Sequence, residues 1–116
     1  MSLEAKRSIK TAQIKMRELN FVIDGVSVTP VVSGFDRFQI KQIIDLGVGH
    51  YTIIFKRPFS RSCQLGGHGM LTASTALSVV AVAYDRITVQ CTDLAAIATD
   101  AIFSLCVKGS DARYDI

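Results

Sequence analysis

The feature that most restricts this chain is a period-two alternation of apolar residues interrupted by a glycine-containing turn. Phe38, Ile40 and Ile44 fall on alternate positions, Asp45-Leu46-Gly47-Val48-Gly49 follows, and Tyr51, Ile53 and Phe55 alternate beyond it while Thr52 and Ile54 take the opposite side. Successive side chains on a strand point to opposite faces, so this spacing gathers one apolar row only if the backbone is extended. A connection of this length needs positive φ, which glycine reaches without steric cost. The segment therefore predicts an antiparallel hairpin. Pro58 lacks an amide donor and must end the second strand or place it at an edge.

The same period returns further along. Leu77, Val79, Ala81 and Ala83 alternate with Ser78, Val80 and Val82, which suits a strand partly covered on both faces. Asp85-Arg86 then turns the chain into Ile87, Val89 and Cys91, set against Thr88, Gln90 and Thr92, so a second hairpin is expected. A last strand is predicted over 102–108, ending at Gly109, with a loop or short helix over the Ala-rich segment 93–101. Near the start, Phe21-Val22-Ile23 reads as a strand, Asp24-Gly25 as a turn, and Val26-Ser27-Val28 as a second short strand stopped by Pro30. Residues 8–18 satisfy a strand through Ala12, Ile14 and Met16 and equally a helix through Ile9, Ala12, Met16 and Leu19.

These segments amount to one folding unit. At 116 residues, 49% apolar and 20% charged, the chain can bury one core but not two. The expected architecture is all-β, an antiparallel, jelly-roll-like β-sandwich over 33–110, with an N-terminal arm or edge strands over 1–32 and a polar tail over 111–116. The net charge of +3 is too small to indicate nucleic-acid binding by itself. The most apolar stretch, 70–84, is shorter than a membrane span and carries four hydroxyl residues, Thr72, Ser74, Thr75 and Ser78. The polar start, Met-Ser-Leu-Glu-Ala-Lys-Arg, leads into no unbroken apolar run, so no secretory leader is expected.

A resemblance enters at the first hairpin. The run from Phe38 to Phe55 resembles one found in tailed-bacteriophage virion proteins, in the small β-sandwich domains of tail fibres and capsid head decorations. There an alternating strand meets Asp-x-Gly-x-Gly, then Tyr-Thr-apolar-x-Phe, then an aromatic, matched here by Phe59. Residues 100–109 are similar to the closing strand of those domains. Between the two, 60–69 departs from the pattern: Gly66, Gly67 and Gly69 weaken any strand and suggest a loop. The resemblance implies a virion structural protein, usually a homotrimer, made in the host cytoplasm. Such a protein cements the head by bridging subunits of the major capsid protein. The alternative it leaves open is a tail-fibre or tail-adaptor component that meets other tail proteins or a host receptor.

No residue is expected to carry chemistry, and no cofactor is expected. The strongest catalytic candidate is Cys63 with His68, a thiol and a base beside a glycine-rich segment. Five residues of such chain do not by themselves bring ring and sulfur together. Cys63, His50 and His68 could supply three zinc ligands at most, without paired spacing, so no metal site is expected on one subunit. Cys63, Cys91 and Cys106 read as unpaired thiols. Lys6, Arg7, Lys10, Lys15 and Arg17, then Lys56, Arg57 and Arg61, read as a solvated face or a contact with an acidic protein surface rather than a nucleic-acid surface, and no membrane partner is expected. Subunit or capsid contact is assigned to the arm, through Ile9, Ile14, Met16, Leu19 and Phe21.

Overall fold

The computed structural model describes residues 16–111. They form an all-β sandwich of eight strands: β1 (Met16–Asp24), β2 (Val31–Ser33), β3 (Ile40–Gly47), β4 (His50–Phe55), β5 (Gln64–Met70), β6 (Thr75–Val82), β7 (Arg86–Asp93) and β8 (Ile102–Ser110). One sheet has the order β2-β1-β8-β5 and the other β3-β4-β7-β6, with every pairing antiparallel. The single helical element among the described residues is a 3-10 turn, Arg37–Gln39.

Alternation places the core between the sheets. Leu19, Phe21 and Ile23 of β1 face Phe103, Leu105 and Val107 of β8 in register, and the row is closed from the other sheet by Tyr51, Ile53 and Phe55 of β4 with Ile87, Val89 and Cys91 of β7. Each fully buried Phe, Ile, Leu or Val contributes about 1.5–3 kcal/mol, so these rows hold the sheets together. Tyr51 and Phe103 meet across the interface, with ring centroids 5.9 Å apart.

The first hairpin forms as its spacing predicts, with Gly47 at φ +135° and Gly49 at φ +67°. Its first strand differs in detail. A bulge between Ile40 and Gln42 shifts the parity, so Ile40 and Ile43 rather than Ile40 and Ile44 turn inward, opposite Phe55 and Ile53. Phe38 lies in the 3-10 turn, exposed, with the Arg37 guanidinium over its ring.

The N-terminal region differs more. β1 lies between β2 and β8 and pairs with β8 along its whole length, from Met16↔Ser110 to Asp24↔Ile102, so residues 16–24 belong to the sandwich rather than to an arm ahead of Ser33. Residues 16–18 are strand; the helix-or-strand alternative for 8–15 lies outside the described residues. Val26–Val28 is a turn rather than a strand, because the Asp24 carboxylate takes the amides of Val26 and Ser27 (3.0 and 3.2 Å), and pairing resumes only after Pro30. At the C-terminus, Asp111 is not part of a solvated tail: it is buried and ion-paired with Arg57 at 2.9 Å.

The glycine segment 66–69 is strand, not loop. β5 runs along β8 from Gln64↔Lys108 to Met70↔Phe103, with a bulge between Leu65 and Gly67. The Lys108 side chain lies across Gly66, 2.9 Å from where a Cβ would stand, so a larger residue there would have to push that flexible chain aside. β6 also departs from expectation. Its two faces are mostly exposed, since it is the last strand of its sheet.

Candidate functional site

Cys63 and His68 are not a dyad. Cys63 is buried, its thiol directed to the Arg86 carbonyl (3.6 Å), and burial pushes its pKa up, which opposes thiolate formation. His68 is exposed on β5, opposite Leu105, four strand steps beyond Gln64, or about 13 Å along the chain. His50 opens β4 and pairs with Gln90, apart from both. Among the described residues, no three His, Cys, Asp or Glu side chains gather where they could hold a metal ion.

The residues assigned to subunit contact separate in the same way. Leu19 and Phe21 are each 2% exposed and fill this chain's own core, because β1 alternates against β8. Met16 is exposed. Ile9 and Ile14 lie outside the described residues.

Sequence reasoning missed one end of the sandwich. Four connections meet there: β1–β2 (25–30), β3–β4 (48–49), β5–β6 (71–74) and β7–β8 (94–101). Three of them are held by an aspartate at the end of the preceding strand or close to it. Asp24 takes the Val26 and Ser27 amides, Asp45 takes the Gly47 amide (3.0 Å), and Asp93 takes the Ala95 and Ile97 amides (2.8 and 3.0 Å). A carboxylate that satisfies the turn's own backbone lets the next side chains point outward.

A fourth aspartate joins the connections to one another. Asp100 Oδ1 accepts from the Gly49 amide (2.8 Å) and the Tyr51 hydroxyl (2.6 Å), and that hydroxyl lies 3.2 Å from the Gly25 carbonyl. The Gly25 amide donates to Ala101 O, Cys91 N donates to Gly49 O, and Thr99 N donates to Cys91 O. Burial, then the Asp100 hydrogen bond, raises the Tyr51 pKa far above its ordinary value, so the hydroxyl stays a donor. Glycine is required at 49, where a Cβ would stand 2.5 Å from Thr99 O and 2.6 Å from Cys91 O.

This scaffold presents an apolar surface. Val26 and Val28 on the first connection, Val48 on the second, Leu71 on the third, and Leu94 and Ile97 on the fourth are all exposed, Val28 completely and Leu94 at 86%. No lysine or arginine occurs in 24–31, 45–50, 70–76 or 93–101, while Asp24, Asp45, Asp93 and Asp100 do. The eight lysines and arginines of the described residues (Arg17, Arg37, Lys41, Lys56, Arg57, Arg61, Arg86 and Lys108) all belong to the opposite half of the sandwich. Exposed aliphatic residues on adjacent connections, bordered by one sign of charge, make a patch suited to another surface rather than to a small substrate.

A shallow groove of about 400 Å³ crosses the outer face of the β2-β1-β8-β5 sheet, with Asn20, Gly67, Ser104 and Cys106 beneath it and Phe35 at its side. Cys106 lies there with its thiol 3.1 Å from Glu18 Oε1. Burial and then the hydrogen bond to Glu18 raise the pKa of this thiol, which opposes thiolate formation.

No family model matches the chain, and neither does any curated protein or solved structure.

Proposed function

We propose that this chain is a virion structural protein of a tailed phage, a capsid decoration protein that binds through the loop end of its sandwich and stabilises the head. The observation that carries this reading is the apolar surface at that end, without lysine or arginine among the described residues, whose exposed aliphatic side chains a partner surface would cover. The fitting partner is a shallow apolar site bordered by lysine or arginine, placed where neighbouring major capsid subunits meet. A protein that binds the closed lattice and not its separated subunits stabilises the lattice by mass action. Carboxylates around an apolar centre add orientation and encounter rate more than affinity.

The test is co-sedimentation of the purified protein with phage heads that lack it. Wild type is expected in the head fraction. A Val28→Asp, Leu94→Asp double variant, changed only at exposed positions, is expected to stay in the supernatant with its melting temperature within a few degrees of wild type. Binding unaffected by the double substitution would refute the reading. A tail-fibre or tail-adaptor role is favoured by the gathering of four connections at one end, as a distal contact requires. Antibody labelling of intact particles on tails and not heads would select it.

A further inference from the structure

We infer that the open edge of β6 is a self-association surface, on which β6 of a second copy adds antiparallel and joins two four-stranded sheets into one. Among the described residues the sandwich has four edge strands, β2, β5, β3 and β6. An edge leaves main-chain donors and acceptors without strand partners, and proteins blunt such edges with short length, charge, proline, glycine or bulges. Three of the four are blunted. β2 has three residues and follows Pro30; β5 carries three glycines and a bulge; β3 carries Lys41, Asp45 and two bulges.

β6 differs. Its eight residues, Thr-Ala-Leu-Ser-Val-Val-Ala-Val, include no charge, no proline and no glycine. It pairs with β7 on one side and, among the described residues, with no strand on the other. The one irregularity lies between Val79 and Ala81, beyond the regular stretch Thr75–Val79 that runs opposite Asp93–Val89. Val79, Val80 and Val82 are between 40% and 53% exposed, high for valines on consecutive turns of a β-branched strand. A strand of this kind is a ready template for pairing with another.

The occupant that suits this edge is the same strand from another copy. Antiparallel addition about a two-fold axis sets β6 against its own reverse. Whatever register the two copies take, no charge is buried or set against another, because this strand carries none. Main-chain hydrogen bonds then supply affinity, and the valines of both copies cover one another. Pairing of this kind is isologous and closes at two copies, unlike the threefold assembly that the phage resemblance implies.

Sedimentation of the full chain across a concentration series tests the inference, together with single variants Ser78→Lys and Val80→Lys. Wild type is expected as a reversible dimer whose β6 amides gain protection from hydrogen exchange on association. Each variant puts one lysine per copy near the middle of the joined edge, close to the axis, and is expected to weaken the dimer about tenfold or more while circular dichroism keeps the β signature. A wild-type chain that stays monomeric at every concentration, or a dimer or trimer indifferent to both lysines, would overturn it. The loop-end variants Val28→Asp and Leu94→Asp are expected to leave the dimer unchanged, which separates this surface from the head contact.

Discussion

The two ends of the sandwich close on an aromatic ring each, by different chemistry. At the loop end, Tyr51 is tied by its hydroxyl to Asp100, and Asp100 also holds the Gly49 amide. At the basic end, Phe59 sits over Gly109, meets Phe55 edge-on at 5.5 Å, and is covered by the Arg17 guanidinium 4.5 Å from its centroid. Arg17 in turn donates to the carbonyls of Arg57 (2.7 Å) and Pro58 (3.3 Å), so the β4–β5 connection is stapled to β1. One end is fixed by directional hydrogen bonds, which hold loops in place while leaving their side chains outward. The other adds ring packing and a covering guanidinium to its hydrogen bonds, so its aromatic residue and basic side chains are turned onto one another. The difference explains why exposed aliphatic residues gather at the loop end.

The largest expected effect breaks the packed end. Phe59→Ala removes a buried ring that touches Phe55, Gly109 and Arg17, and should cost about 3–5 kcal/mol in urea unfolding. The loop-end surface is expected to keep its binding as long as the protein is folded. Next is Gly49→Ala, which forces a Cβ against two carbonyl oxygens at φ +67° and should cost about 3 kcal/mol. Gly47→Ala is the control two residues away. Nothing lies within 4 Å of its Cβ position, so only backbone strain is paid at φ +135°, about 1–2 kcal/mol. Equal costs at 47 and 49 would show that the carbonyls around Gly49 can yield.

Tyr51→Phe sharpens the comparison by removing only the hydroxyl. It should cost about 1–2 kcal/mol, because Asp100 loses the 2.6 Å hydroxyl donor and keeps only the Gly49 amide. It also changes the alkaline limb of stability. Burial and then Asp100 raise the Tyr51 pKa above its ordinary 10.0, and burial and then Asp100 push Cys91 from 9.0 up to about 11. Both groups stay protonated in the fold to higher pH than in the unfolded chain. Their contribution is therefore complete below pH 9 and declines as pH rises, for Cys91 between 9 and about 11 and for Tyr51 from 10 upward. Each proton adds a slope of at most about 1.4 kcal/mol per pH unit. Chemical denaturation between pH 8 and pH 11 should show Cys91→Ala flattening the first part and Tyr51→Phe the second; an unchanged pH profile in both would contradict the assignment.

The two ends were also unequally legible in the sequence. Phe21, Ile23, Tyr51, Ile53, Phe55, Ile87 and Val89 announce their inward row by spacing alone, because period two has no other explanation in an apolar strand. The bulge at Ile40 does not, since one extra residue changes parity without changing composition. Val26-Ser27-Val28 alternates as a strand does, and only the Asp24 carboxylate on the following amides makes it a turn. The recurrence of aspartate near strand ends at 24, 45 and 93, each followed by an apolar residue within two positions, was the available signal for the loop end. Neither the openness of β6 nor the strand character of 66–69 was legible, because both depend on which neighbour the chain receives. Among the described residues β6 takes only β7, and β5 takes β8 with Gly66 under Lys108.

The smallest expected effect concerns the three thiols, which sample both ends and the face between them. Cys91 sits in the core beneath the loop end and Cys63 in the core beneath the basic end; Cys106 alone is partly exposed, on the outer face of the β2-β1-β8-β5 sheet. A thiol reagent added to native protein should therefore modify one cysteine per chain promptly and the other two only at the rate of unfolding. Cys106 itself should react slowly for an accessible thiol, because burial and then its hydrogen bond to Glu18 raise its pKa. Glu18→Gln removes the negative charge from beside the sulfur, enlarges the thiolate fraction at neutral pH, and should speed that one reaction a few-fold without altering unfolding by urea. Prompt labelling of Cys91 together with Cys106 would mean that the hydrogen-bonded end opens in the native state while the packed end stays shut. Labelling of Cys63 with Cys106 would reverse the ranking of the two ends.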